Sequence, residues 1–434
     1  MNLRTNREDQ RELTKRGARG VAAIVSSGLI LLTVGCSELV TVPSSPHEID
    51  FNDPITLDGL MIGTLADFTY AYDAWMADQA RFADIFFAPS FDSGHLSRAR
   101  RDVTEFSDRA EARDQTPYVG IYGPEQRAHF TATNAQEVLQ EGQFPEIGEP
   151  FQDSDAFARA ALYEAYVKIW IADKWCSAAF LGQAPEYSSL EVYGLAEEVF
   201  GRVLAASGAS PQTRQAALVG RARARLNQGD LSGVVSDAAQ VEPGFRWELE
   251  YSTNSFEQRN RVWWQNWGFA NSSVDFRRWA HLTVDDTDVP DPRVSLTEEP
   301  TDAYDPAWPL WGANKVRDPS SPLTVASYEE ARLMIAEAEL GQTAVEEINH
   351  VREMRGIDIE WSPDSVSDED ILNKVIDERG RTLFLEGVRM GDLRRYQRAY
   401  EINLWQDTSV QGEPMEEIYC YPLPNTEREN NPHI

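Results

Sequence analysis

Residues 375–395 read VIDERGRTLFLEGVRMGDLRR, and the fold turns on how their charges are understood. On a helix, Glu378, Arg379, Glu386 and Arg389 are spaced so that acids and guanidinium groups pair across turns and with neighbouring helices. Gly387 lets the chain bend there or a partner helix come close. A catalytic reading would take Asp377 or Glu378 with Glu386 as the two carboxylates of a glycosidase. Buried Arg–Glu clamps that hold helices in register explain the same residues better, so the segment reads as architecture.

Outward from this stretch, apolar positions recur at threes and fours, the period of a helix buried on one face. Ser327–Leu340 (SYEEARLMIAEAEL), Thr343–Arg355 and Ser367–Phe384, running on to Arg398, are predicted helices. Ser367-x-x-Asp370 is a capping-box-like start with Asp in place of Glu. Four segments of this region together resemble the SusD/RagB family of outer-membrane nutrient-binding lipoproteins. Tyr328 to Ala338 is similar to the family's helix of an aromatic residue, an acid, apolar residues and Ala-Glu-Ala. Ile348-Asn349, Val351-Arg352 and Arg355-Gly356 resemble its Leu-Asn-x-Val-Arg-x-Arg-Ala segment. Residues 375–395 are close to Glu-Arg-x-x-Glu-Leu-x-x-Glu-Gly-x-Arg-x-x-Asp-Leu-x-Arg, with Thr382 at the usual second Glu and Met390-Gly391 where an aromatic residue often follows the Arg. Pro422-Leu423-Pro424, Glu427 and Asn431-Pro432 are similar to the family's Pro-Ile-Pro-x-x-Glu-x-x-x-Asn-Pro ending, and Asp291-Pro292-Arg293 weakly echoes its Asp-x-Arg motif. The resemblance covers residues 325–434 and implies a SusD-like α-α superhelix.

The rest of the chain is read as all-α as well. Leu57, Leu60, Met61, Leu65, Phe68, Ala71 and Trp75 place a helix near the start of the body, with a second expected over Trp75–Phe86. Residues 88–150 lose the period and read as loops and short helices, apart from a charged segment at 96–113 that can be helical. Asp155–Phe180, Glu191–Ala206, Pro211–Asn227 and Leu231–Ala239 are predicted helices, with Ser210-Pro211 and Gly229-Asp230 as start and stop signals. Antiparallel helices of this length, with small residues such as Ala216, Ala217, Ala222 and Ala224 at their contacts, predict tetratricopeptide (TPR)-like pairs in a right-handed superhelical scaffold. The body is thus expected to span 55–434, with TPR-like helices at 155–241, a loop-rich aromatic insertion at 242–325 and the family-like region at 326–434.

Val21 to Gly35 is an uncharged, mostly apolar run of 15 behind a basic segment, too short for a hydrocarbon core that needs about 20 residues of helix. It reads as the core of a signal peptide, residues 1–35. Thr33-Val34-Gly35-Cys36 resembles a bacterial lipobox, so Cys36 is the expected lipidation site, and residues 36–54, rich in Ser and Pro, the expected tether. The chain carries 71 Asp plus Glu against 40 Lys plus Arg, a net of −31. Cleavage after residue 35 would leave 68 acidic and 34 basic side chains, a net of −34, so the acidity belongs to the body. Such a charge disfavours nucleic acid and anionic lipid surfaces as partners. With 42% apolar and 26% charged residues, composition excludes a disordered chain and a polytopic membrane protein.

No positive sign of catalysis is found. None of the six histidines stands in HExxH or another zinc spacing, and no GxSxG or phosphate loop occurs. Cys176 and Cys420 are expected to be buried thiols. The carboxylates of residues 285–291 (DDTDVPD) read as a solvated loop rather than a calcium site, because the EF-hand Gly and terminal Glu are missing. No metal and no cofactor are expected.

The aromatic insertion is the site candidate. Sugars stack the apolar face of their ring on Trp or Tyr, while amides and charged groups at the edge hydrogen-bond the hydroxyls. Trp263, Trp264 and Trp267, with Gln265 and Asn266 as polar contacts, form one group, and Tyr304, Trp308 and Trp311 a second. The alternative for each ring is packing of the insertion onto the helices. The resemblance implies a non-enzymatic receptor, lipid-anchored in the outer membrane and facing outward, that captures oligosaccharide for a SusC-like TonB-dependent transporter. A peptide ligand, as in the RagB branch, and an exported glycoside hydrolase are the alternatives.

Overall fold

Phe68, Tyr72 and Trp75 are spaced four and three apart, as are Trp170, Tyr166 and Tyr163, so each trio lies along one helix face. The faces meet in the core: Trp170 lies 4.8 Å from Phe68, 4.9 Å from Tyr72 and 5.7 Å from Trp75, and Trp247 closes over Phe68 at 5.6 Å. The computed structural model describes residues 54–91, 93–104, 122–141, 144, 147–148, 150–180, 185–299, 303–362 and 367–434. The expected signal peptide, Cys36, the tether up to residue 53 and residues 105–113 of the charged segment lie outside them.

Helix α1 (Pro54–Phe82) is followed by α2 (Ser93–Ala99), α3 (Tyr122–Glu141), α4 (Asp155–Lys174), α5 (Ser189–Ala205), α6 (Pro211–Gln228) and α7 (Leu231–Ala238). After the insertion come α8 (Tyr328–Glu339), α9 (Gly341–Met354), α10 (Asp368–Thr382) and α11 (Arg389–Tyr400). Neighbours in sequence pack on one another from α3 to α7, α8 packs on α6 and α7, and α11 packs back on α1 and α4. The four two-stranded ribbons among the described residues are short; Arg246–Leu249 pairs antiparallel with Leu323–Ser327, and Leu296–Glu299 with Leu310–Ala313. The scaffold is thus mostly helical, as expected.

Several helix starts carry polar caps. Ser188 and Glu191 form a reciprocal capping box, and the Ser210 hydroxyl accepts from the Thr213 N–H ahead of Pro211. Gly229 ends α6 in the left-handed region at φ 85°.

Four expectations need correction. Residues 75–86 do not begin a second helix: α1 is one helix to Phe82. Residues 88–150 are not all loop, because α3 has 20 residues. Its buried face includes Glu125, His129 and Gln136 among small and apolar residues, so its period is real but partly written in polar residues. The predicted run from Ser367 to Arg398 is broken at 383–388, where Leu385 (φ 53°) and Gly387 (φ 76°) are left-handed. A Cβ on Gly387 would meet Trp75 Cζ3 at 2.5 Å, so both uses foreseen for this glycine, bend and close approach, coincide. Finally, Cys176 and Cys420 are not thiols but a disulfide joining positions 244 residues apart. The Cys176 N–H donates to the Tyr421 carbonyl and the Tyr421 N–H to that of Lys174, both at 2.8 Å, which sets the two cysteines side by side.

The segment from which the reading began is architectural in detail. Arg379 donates to Asp392 at 2.8 and 3.0 Å, and Arg395 to Glu337 at 2.7 and 2.8 Å, all four side chains being buried. Glu378 pairs with Arg293, itself held by Asp291 at 2.7 Å, and Glu386 with Lys315 at 2.6 Å. Burial alone would raise the Asp392 carboxyl, but Arg379 and Arg395 outweigh it and hold it below the ordinary range.

Candidate functional site

The insertion is tied to α1 at residue 261. Asp73, buried on α1, accepts the Arg261 N–H at 2.7 and 2.8 Å, and Asn260 Oδ1 accepts the Trp263 N–H at 2.8 Å. Burial pushes the Asp73 carboxyl up to about 7, against the pull of Arg261. One helical turn, Arg261–Trp263, then widens into a π-turn over Trp264–Gly268, closed by the Phe269 N–H on the Trp264 carbonyl at 2.6 Å. A bond of i→i+5 period brings side chains five apart together. Trp264 and Phe269 accordingly stack, centroids 5.8 Å apart at 12°. A Cβ at Gly268 would press on Trp264 at 2.8 Å, so glycine is what lets the turn close under the ring.

Further rings extend this pair. Phe269 lies 4.9 Å from Tyr304, Tyr304 lies 6.4 Å from Phe91, and on the other side Phe256 meets Trp264 edge-on at 4.7 Å. Three loops carry the row and are stitched by backbone bonds: Tyr304 N–H to Ala270 O and Asp305 N–H to Pro89 O, both 2.9 Å. Ala270 is held at φ 54°, a strained conformation for a residue with a Cβ. Phe91, Phe269 and Tyr304 are 73%, 44% and 46% exposed, a contiguous aromatic surface where single exposed apolar residues would be unremarkable. Phe256 and Trp264 lead on to a crevice with Tyr70, Asp73 and Glu257, and these three also line a groove of about 820 Å³ between α1 and residues 250–258. Beneath the row, the Asn271 amide lies 3.1 Å from His95 Nδ1. Burial, reinforced by Arg81 and Arg98, pushes that imidazole down to about 2, so it is neutral.

The sequence candidates separate. Trp264 and Tyr304 are in the row, and Trp263 is half-buried 6.1 Å from Trp264. Trp308 is half-buried against Phe87 at 6.1 Å. Trp267 turns inward: its Nε1 donates to Ala313 O at 2.9 Å, and its ring fills the space a Cβ on Gly312 would take. Trp311 and Asn266 are corrections. Trp311 is buried in the Leu310–Ala313 strand, 6.0 Å from Phe276 and 5.4 Å from His281. Asn266 is fully buried, donating to Ser272 O and Trp311 O and accepting from Ala313 N, so its amide braces the insertion and has no free edge for a ligand. Gln265 is buried with Oε1 unpartnered. Phe91, Phe256 and Phe269 were not among the candidates; position after the Trp-rich run and its Gly was the only signal for Phe269.

Two of the acids of the 285–291 loop are engaged by cations. Asp285 accepts from Arg352 at 2.7 Å and Lys374 at 2.5 Å, and Asp291 binds Arg293 and Arg381. Among the described residues no group of three His, Cys, Asp or Glu side chains is placed to hold a metal, and no helix is long and apolar enough to cross a membrane.

Comparison with known proteins agrees with this architecture. Residues 328–434 match the SusD family. No curated protein matches the sequence. A SusD superfamily protein of Bacteroides vulgatus has a TM-score of 0.66 at 16% identity, over 88% of this chain and 98% of its own. A SusD-like carbohydrate binding protein of Bacteroides fragilis gives 0.65 at 12% identity, over 88% and 99%. NanU of B. fragilis gives 0.62 at 12%, over 88% and 95%. At such identities the structural likeness is one of fold, which the described body shares with SusD superfamily structures, while the match to the SusD family itself lies in the C-terminal residues 328–434.

Proposed function

We propose that the chain is a non-enzymatic cell-surface binding protein that captures oligosaccharide on the row Phe91, Tyr304, Phe269 and Trp264 and passes it to a SusC-like TonB-dependent outer-membrane transporter. The contiguous exposed row carries the proposal, since flat aromatic faces held by rigid loops suit the C–H face of a sugar ring. Trp263 and Trp308 flank it. In this reading the leader 1–35 is removed and the protein is tethered by palmitate-bearing lipid on Cys36. The Cys176–Cys420 disulfide supports export, because such bonds persist in oxidising compartments. That a relative of the same fold is described as carbohydrate binding adds support.

Calorimetry on a panel of oligosaccharides and peptides, with wild type and a Trp264→Ala/Tyr304→Ala variant, tests it. The expected result is saturable binding of an oligosaccharide, insensitive to salt, recovered unaltered, and weakened about 10-fold or more in the variant. Unchanged affinity in the variant sinks the site. A cationic peptide bound ever more weakly as salt rises would replace glycan with the RagB-like alternative, and cleavage of the glycan would make the protein a hydrolase.

A further inference from the structure

On a chain of net charge −31, one cavity is cationic. It measures about 250 Å³ and lies among the Phe276–Trp279 turn, α10 and the start of α11, lined by Arg278, Trp279, Asn373, Asp377, Arg381 and Arg389 among others. Asp377, the only acid in the lining, is engaged by Arg381 at 2.8 Å.

Arg389 differs from the other arginines of its segment. Arg379 and Arg395 each hold a carboxylate at 2.8 Å or less, whereas Arg389 is 7% exposed with Nε and Nη2 lacking any hydrogen-bond partner among the described residues. Its guanidinium lies 5.6 Å from the Trp279 ring, which Arg278 shares at 5.9 Å, and the nearest carboxylate to Arg278, Asp84, is 3.9 Å away. Burial, then the neighbouring Arg278, pushes Arg389 down to about 9. Buried N–H donors without acceptors are costly, and two cations on one indole repel. An incoming anion relieves both.

We propose that this cavity binds a small oxyanion, a carboxylate or sulfate group, with Arg389 as its charged donor, Arg278 as the second cation and the Asn373 amide at the rim. None of these residues belongs to the aromatic row, and the acidity of the whole molecule means that binding there is local, not a consequence of the overall field.

Calorimetry of the full chain at constant ionic strength with sodium sulfate, sodium glucuronate, glucose and sodium chloride decides the matter. Saturable one-to-one binding of sulfate, of glucuronate or of both, with none for glucose or chloride, supports the pocket; the anion that binds names the group. Arg389→Met should weaken that binding about 10-fold or more, Arg278→Gln by several-fold, and Trp264→Ala not at all. Binding of neither anion, or equal affinity in a folded Arg389→Met protein, overturns the proposal. Should Arg389→Met fail to fold, Arg278→Gln, a quarter exposed at the rim, carries the test, and unchanged affinity there overturns it equally.

Discussion

In residues 328–400 a set of charges lies inside; in residues 256–304 a set of aromatic rings lies outside. Glu337, Glu378, Arg379, Asp392 and Arg395 are all buried, while Phe269 and Tyr304 face solvent. Both regions invert the usual partition of side chains, with different consequences. A buried charge survives only with a partner of fixed geometry, so it fixes helices against one another and is intolerant of change. An exposed ring costs the fold little and is tolerant of change, which leaves it available to a ligand. Buried charge here marks architecture, and exposed aromatic surface marks the proposed site.

The sharpest way to break that contrast is Glu337→Ala. It removes the partner of Arg395 at 2.7 Å and a second carboxylate 3.6 Å from Arg379, and should cost about 3–5 kcal/mol in urea denaturation. A loss under about 1 kcal/mol would mean that the clamps are not what holds α8, α10 and α11 together.

A middle-sized effect is expected with pH. Asp392 is held below its ordinary range, so its stabilising contribution is present above about pH 4 and is lost as pH falls through its lower folded value. Asp73, Glu125 and Asp173, which burial raises to about 7, run the other way: their contribution is present at low pH and lost as pH rises towards 7. The readout is therefore the difference in stability between wild type and Asp392→Asn, which should be largest near neutrality and shrink as the pH drops below about 4. A difference independent of pH would show that the Asp392 charge is not what stabilises the clamp.

The smallest effect should come from Phe269→Ala. With 44% of the residue exposed, its loss should change unfolding free energy by about 1 kcal/mol or less. A cost comparable to that of Glu337→Ala would make the row a structural element after all.

What was legible in the sequence follows the same division. Charge pairs within one helical segment, and their resemblance to a family motif, gave away the C-terminal architecture. Partners far along the chain did not: nothing local ties Arg293 to Glu378 or Cys176 to Cys420. Helix α3 hid because its inward face uses Glu125, His129 and Gln136, each satisfied by or packed against residues of α4 and beyond. In the insertion, tryptophan count pointed to the segment that carries most of the aromatic row but could not sort inward from outward rings. That sorting depends on the π-turn at 264–268 and on Gly312, which admits Trp267 to the interior, and the row's phenylalanines carry no polar mark by which to single them out.

The bond between Cys176 and Cys420 has a topological consequence. It encloses α5 to α11 and the whole Trp-rich insertion in one covalent ring. A protease that cuts a loop inside the ring, around residues 250–258 for instance, would open the chain without releasing a fragment. Two pieces would separate on a gel only after reduction, and a chain clipped in this way would keep its aromatic row attached to its scaffold.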